Sequence, residues 1–335
     1  MKRIKILLPL CALLLAAATG CHRIPLHERA SGVYLKLNLH QEIDPAMAEL
    51  LDFDARPELK DKVLGKTPEL VRACFYDAVS HELVAEDFVS PEGGFINVPA
   101  GAYDVIAYSL GTEATQVSGT ESRAGGYSFT SPTGAKLKMG APTKADEETQ
   151  EQSVVFEPDH LFVGRIAGAN VSLRPAEESE TAVLTAEMNR ISESWILKVI
   201  DVEGAERIQK ADVYITGQST GRYLWDARSS NHPGALSFEG TVDAAAGQLF
   251  AVFNTFGRYP EPETDVIVNV LVTTTGGNRC RFVYDVTDQW LNPDNSAHLI
   301  LIDELMEIPG DDFDGGGFEP VINDWDDEVI DIIVG

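Results

Sequence analysis

The sequence is poor in cysteine, with four in 335 residues, too few for a disulfide scaffold. Its seven histidines are scattered and show no metal-ligand spacing. Basic residues are scarce beside acidic ones, 26 Lys and Arg against 53 Asp and Glu, for a net charge of -27. A chain this acidic repels phosphate backbones, which argues against a nucleic-acid partner. There is no P-loop and no His-Glu-x-x-His pair, so neither phosphate cradling nor zinc hydrolysis is indicated. What remains is ordinary. A content of 44% hydrophobic and 24% charged residues excludes long disorder, collagen and a many-span membrane protein. The length suits two domains of common size.

The first residues read as an address. Lys2, Arg3 and Lys5 precede an uncharged apolar run over 6–18, interrupted by Pro9. Ala18, Thr19 and Gly20 follow, and then Cys21. The run is too short for a membrane span and has the flanks of a secretory signal. Small residues ending on a cysteine resemble the lipobox of bacterial lipoproteins, although Ala18 stands where leucine is usual. The expectation is a leader over 1–20, cleaved before Cys21, with the Cys21 thiol carrying a diacylglyceryl group and its amine an acyl chain. Several acyl chains anchor stably, because each buried CH₂ contributes roughly 0.8 kcal/mol. His22 rather than aspartate follows the lipidated position, which favours outer-membrane placement. Removing the leader leaves 23 basic residues against 53 acidic, a net of -30.

The body of the chain has the period-two pattern of half-buried strands. Val33, Leu35, Leu37 and Leu39 alternate with polar or amphipathic residues. Residues 70–77, 81–89, 95–98 and 102–109 read as further strands, separated by Gly/Pro-rich turns such as Ser90-Pro91-Glu92-Gly93-Gly94. Residues 156–166 close this first half. The stretch 118–152 is polar and lacks apolar periodicity, so it reads as a long surface excursion within the first domain. Near Arg174-Pro175 the pattern restarts. Ala182, Leu184, Ala186 and Met188 share one face of a strand that opens a second sandwich, and Trp195, Leu197 and Val199 line another. Residues 204–211 read as a short helix. Val266, Val268, Val270 and Val272 alternate cleanly, as do Cys280, Phe282, Tyr284 and Val286. Cys74 and Cys280 read as buried free thiols, with a cross-domain disulfide as the alternative. The division expected is a leader over 1–20, a first sandwich over 21–168 containing the excursion, and a second over 169–308.

Residues 309–335 differ in character. From 303 to the end there are twelve acidic residues and no Lys or Arg. Gly315, Gly316 and Gly317 suggest a flexible spacer, after which 319–334 turns apolar again. Its periodicity fits a strand or a helix. An apolar segment behind a glycine spacer cannot form a sheet alone and needs a partner, in this chain or another.

Chemistry is hard to find. Asp159-His160 is a tempting acid–base pair, but neighbours on a strand point to opposite faces, so a structural or solvent-facing His160 is expected. Asp311, Asp312 and Asp314 lack the glycine and distal glutamate of an EF-hand and read as a solvated run. No catalytic residue, metal site or cofactor is assigned.

Several stretches together carry a resemblance. They are LVRACFYDAVSHELVAEDFVSPEGGFINVPAGAYDVIAYSLGTEATQV, EPDHLFVGR, FVYDVTDQW, HLILIDELMEIP and the terminal INDWDDEVIDIIV. They resemble the fimbrillin-like family, in particular the FimB-like lipoprotein anchor and accessory subunits of the Bacteroidetes type V pilus. The resemblance implies an all-β fold of two transthyretin-like Greek-key β-sandwich domains in tandem. It implies a palmitate-bearing outer-membrane lipoprotein at the cell surface, acting in pilus assembly and cell adhesion and not as an enzyme. Its partners would be other fimbrial subunits, joined by β-strand exchange. In stalk subunits of that family an Arg-specific cut removes the first strand; Arg29 and Arg56 flank the corresponding strand here. An anchor would keep that strand and offer its C-terminal one, with Trp325, Val329, Ile330, Ile332 and Ile333 as inserted side chains. Pairing of that tail within its own second domain is the alternative. A surface lipoprotein binding glycans or host ligands on the same fold is the other functional reading.

Overall fold

A computed structural model describes residues 31–138, 151–172, 182–230, 233–262, 264–310 and 330–332. The alternation at the start of this region does what a period of two requires. Strand β1 (Gly32–Leu39) sends Val33, Leu35 and Leu37 inward and leaves Tyr34 and Lys36 exposed. Helix α1 (Pro45–Leu51) follows, started by Pro45 and by the Asp44 carboxylate, which accepts the Ala46 N–H at 2.8 Å. Helix α2 (Glu58–Leu64) ends at Gly65, whose φ of +78° suits glycine.

The next nine strands are β2 (Val71–Asp77), β3 (Leu83–Val89), β4 (Gly93–Asn97), β5 (Gly101–Ser109), β6 (Thr115–Ser118), β7 (Tyr127–Thr130), β8 (Pro132–Lys138), β9 (Glu151–Phe156) and β10 (Phe162–Val171). With β11 (Val183–Arg190), they supply a seven-stranded sheet ordered β3-β2-β5-β10-β11-β1-β4. Its pairings are antiparallel except β1 with β11. The sheet curls around Val33, Leu35, Phe75, Ile96, Val105 and Phe162, all at most 1% exposed. The turn before β5 is pinned from within this core. Tyr103 is buried against Phe75, edge to face at 6.0 Å, and its hydroxyl donates to the Pro99 carbonyl at 3.0 Å.

Beyond β11 come β12 (Glu193–Val199), β13 (Val202–Glu203), β14 (Ile208–Ser219), β15 (Gly221–Tyr223), β16 (Pro233–Asp243), β17 (Gln248–Thr255), β18 (Ile267–Thr274) and β19 (Arg279–Asp285). Helix α3 (Thr287–Leu291), β20 (Leu299–Ile302), β21 (Met306–Glu307) and β22 (Ile330–Ile332) complete the order. A second sheet runs β20-β12-β17-β16-β14-β18-β19-β22. It wraps a core that includes Leu197, Val213, Leu236, Phe253, Val268 and Phe282. Trp290 of α3 stacks on Trp195 of β12 at 3.8 Å and fixes that helix to the sheet.

Three sequence expectations change. The strand over 182–188, assigned to the second sandwich, is β11 and lies in the first sheet, parallel to β1. Alternation specifies which face of a strand is buried and says nothing of its neighbours, so the crossing between sheets falls at Ile191–Ser192, after β11. The excursion over 118–152 is more than a surface loop. β7 pairs with β15 of the second half, and β9 joins the second sheet parallel to β16; residues 139–150 lie outside the described ones. Within it, Arg123 pairs with the buried Asp104 and its guanidinium lies 4.5 Å from the Trp225 ring. The helix expected over 204–211 is a single 3-10 turn, Ala205–Arg207. From Ile208 the chain pairs with β18, and burying Ala211, Val213 and Ile215 on alternate positions outweighs helix propensity.

Candidate functional site

The feature that bears most on function is the setting of β1. It lies between β4 and β11 with partners on both sides. Tyr34 donates its N–H to the Ala182 carbonyl at 2.8 Å, and Leu37 donates to Glu92 at 3.1 Å. Burying Val33, Leu35 and Leu37 contributes about 4–9 kcal/mol at 1.5–3 kcal/mol per side chain, which is comparable with the whole stability of a domain. The fit is close. Gly93 of β4 has φ +111°, and a Cβ there would sit 1.8 Å from the Leu35 carbonyl oxygen. Gly93→Ala should therefore cost about 3 kcal/mol or more, read as a lowered urea midpoint; Gly111→Ala, also at positive φ but with open space around it, should cost less and isolates the contribution of the contact.

The chain leaving β1 crosses to the other sheet. Met47 and Leu51 of α1 and Val63 of α2 are buried against Ile196 of β12 and Val252 of β17. Arg56, between the helices, is exposed, with its guanidinium 4.6 Å over the Phe250 ring. Arg29 and Cys21 lie outside the described residues.

At the end of α2 a buried polar network joins the sheets. His160 is 7% exposed. Its Nε2–H donates to the Lys62 carbonyl at 3.0 Å, and Nδ1 accepts from the Ser192 hydroxyl at 2.8 Å. Ser194 donates to the Asn254 side chain at 2.8 Å, Arg190 donates to the Val63 and Glu42 carbonyls, and Lys62 pairs with Glu157 at 2.8 Å. Burial, reinforced by the Arg190 charge, pushes the His160 imidazole down to about 4. The unfolded chain takes that proton near pH 6.5. Its contribution to stability is thus complete above pH 6.5 and is lost as pH falls from 6.5 through 4. Between pH 7 and 4.5, the wild type should lose about 2–3 kcal/mol more than His160→Gln, measured by urea unfolding of both at each pH.

Asp159 has a different task. Its carboxylate accepts the N–H groups of Glu113, Ala114 and Thr115 at 2.8, 2.6 and 3.1 Å. Asp159 and His160 line the same open cleft of 820 Å³, yet they are aimed at different partners and form no dyad. Gly217-Gln218-Ser219-Thr220-Gly221 has the Gly-x-Ser-x-Gly spacing. Ser219 ends strand β14, is fully buried and donates to the Gly221 carbonyl at 2.7 Å, so it lacks the strand-to-helix turn and the exposure of a nucleophile elbow. Cys74 and Cys280 are buried and free, and burial pushes both thiols up to about 11, which keeps them protonated and unreactive. Among the described residues no group of three or more His, Cys, Asp or Glu is placed to hold a metal.

At the far end, Ile330 and Ile332 belong to β22, which runs parallel to β19 in the register Cys280 to Ile330 and Phe282 to Ile332. Trp325, Val329 and Ile333 lie outside the described residues. The structure therefore brings together β1 and its groove, and separately the chain terminus and the edge of the second sheet.

Residues 60–239 match the family described as a domain of unknown function (DUF5119). Fim4B, a candidate fimbrium anchoring subunit of Bacteroides ovatus, is 36% identical over 251 residues, covering 75% of this chain and 69% of that protein. Among solved structures, a candidate adhesin from Bacteroides ovatus superposes with a TM-score of 0.56 at 21% identity, over 87% of this chain and 99% of that one. The fimbrial anchor protein Mfa2 of Porphyromonas gingivalis gives a TM-score of 0.44 at 11% identity, over 82% and 90%.

Proposed function

The chain belongs to the DUF5119 family and is similar to Fim4B, a candidate fimbrium anchoring subunit, and from that premise we propose that it is a lipid-anchored fimbrial anchor or accessory subunit acting in pilus assembly and adhesion. In this reading lipid on Cys21 holds the mature protein at the outer membrane, and each curled sheet with its own core is a transthyretin-like sandwich. Other fimbrial subunits are its partners. It keeps β1 as the filler of its own groove and offers its C-terminal segment to the next subunit by strand addition. The observation that carries this is the placement of β1. A strand whose three core side chains are at most 5% exposed, paired on both sides, suits a subunit that ends a chain of exchanged strands.

The test is palmitate labelling of purified outer membranes, followed by capture of attached subunits. The wild type should be labelled and should bring fimbrial subunits with it. Cys21→Ser should lose both label and membrane association while keeping its fold. A mature chain that is unlabelled, soluble and without fimbrial partners overturns the proposal.

A further inference from the structure

The main run of strands in the second sheet, from which β9 and β8 branch at β16, ends in β20 and in β19 with β22, and the chain treats these two ends differently. At one end lies β20, a strand of four residues parallel to β12. Successive residues of a strand direct their N–H and C=O groups to opposite neighbours. The His298 and Ile302 carbonyls accept from Ile196 and Ile200 on the β12 side. Leu299 and Leu301 therefore face away from the sheet, and on an ordinary edge their backbone groups would be open to any extended segment.

They are not open. The Gln289 side chain accepts the Leu301 N–H and donates to the Leu301 carbonyl, both at 2.8 Å. The Asn295 side chain accepts the Leu299 N–H and donates to the Leu299 carbonyl, both at 2.9 Å. Each primary amide thus offers the donor and the acceptor that a neighbouring peptide group would offer, and two of them in succession imitate an added strand. Their placement is built in. Trp290, next to Gln289, is held by stacking on Trp195, and Asn295 also donates to the Gln289 carbonyl at 3.2 Å. The opposite end, β19, accepts residues 330–332 in parallel.

We propose that Gln289 and Asn295 close the β20 edge against strand addition by a second copy of this chain, so that no extended segment joins the second sheet along β20. This goes beyond the fimbrial assignment and does not depend on it.

Amide hydrogen exchange on the full mature chain tests the caps one at a time. Gln289→Ala should speed exchange at Leu301 at least roughly fivefold and leave Leu299 unchanged; Asn295→Ala should do the reverse. The double variant should then self-associate with increasing concentration in sedimentation, where the wild type does not. Adding Leu301→Pro, which deletes the outward N–H, should abolish that association. If the double variant fails to fold, the single-variant exchange pattern still decides. Leu299 and Leu301 amides that stay slow in both single variants overturn the proposal. So does a folded double variant with fast amides that sediments as the wild type does.

Discussion

Leu35→Asp should abolish the folded first sheet, whereas Lys36→Asp, one residue along the same strand, should leave it standing. Leu35 is 0% exposed in the first core, and Lys36 is exposed on the outer face. The first change removes a fully buried aliphatic side chain and places a carboxylate where nothing is positioned to pair with it, a loss of about 5 kcal/mol or more. That is most of what a domain has to lose. The second exchanges one solvated charge for another and should stay within about 1 kcal/mol. Urea unfolding of both variants reads the difference. Equal effects would mean that β1 does not occupy its groove as described. The same burial governs a cut after Arg56. Even when nicked there, residues 31–56 should remain attached through β1 and through Met47 and Leu51 of α1, and should separate only in denaturant.

β1 was legible in the sequence because its burial has a local signature, apolar side chains two apart over eight residues. The buried thiol of Cys280, at 0% exposure, was legible for the same reason. The helices α1 and α2 were not. Each has seven residues, too few for a helical period to stand out; α1 bears the Asp44-Pro45 start signal, and α2 lacks a side-chain N-cap. Their burial depends on Ile196 and Val252, far along the chain. The seam around His160 was invisible for a related reason. Its hydrogen bonds reach Lys62 and Ser192, 98 and 32 residues away, and no spacing rule spans such distances. The sequence did suggest a structural His160 without a dyad, but from strand alternation, whereas residues 157–161 lie between β9 and β10 and the two side chains part because each is held by its own partners. Strand order was the hardest to read. The pairing of β9 with β16 and of β11 with β1 is parallel and non-local, and parallel neighbours are chosen by tertiary packing, which leaves no mark in either strand alone.

Removing residues 319–335 should eliminate capture of fimbrial subunits while leaving the folded body intact. Among the described residues, the core of the second sheet is built from strands and turns that precede this segment. Cys280, Phe282 and Tyr284 of β19 point into that core, and the described residues of the segment, 330–332, meet β19 at the sheet's edge. The backbone hydrogen bonds of those three residues, at about 1 kcal/mol each, contribute roughly 2–3 kcal/mol, well below what unfolds a domain of ordinary stability. An edge strand that adds little to its own fold can be exchanged for a neighbour's groove at low cost, and this is the energetic condition for donation. Trp325, Val329, Ile330, Ile332 and Ile333 are the proposed inserted side chains. Replacing the five together by serine in the full-length chain should match the deletion in capture and the wild type in unfolding midpoint. If the truncated protein unfolds, the segment is an integral strand of its own sheet and not a donor. If it folds and still captures subunits, donation proceeds through another part of the chain.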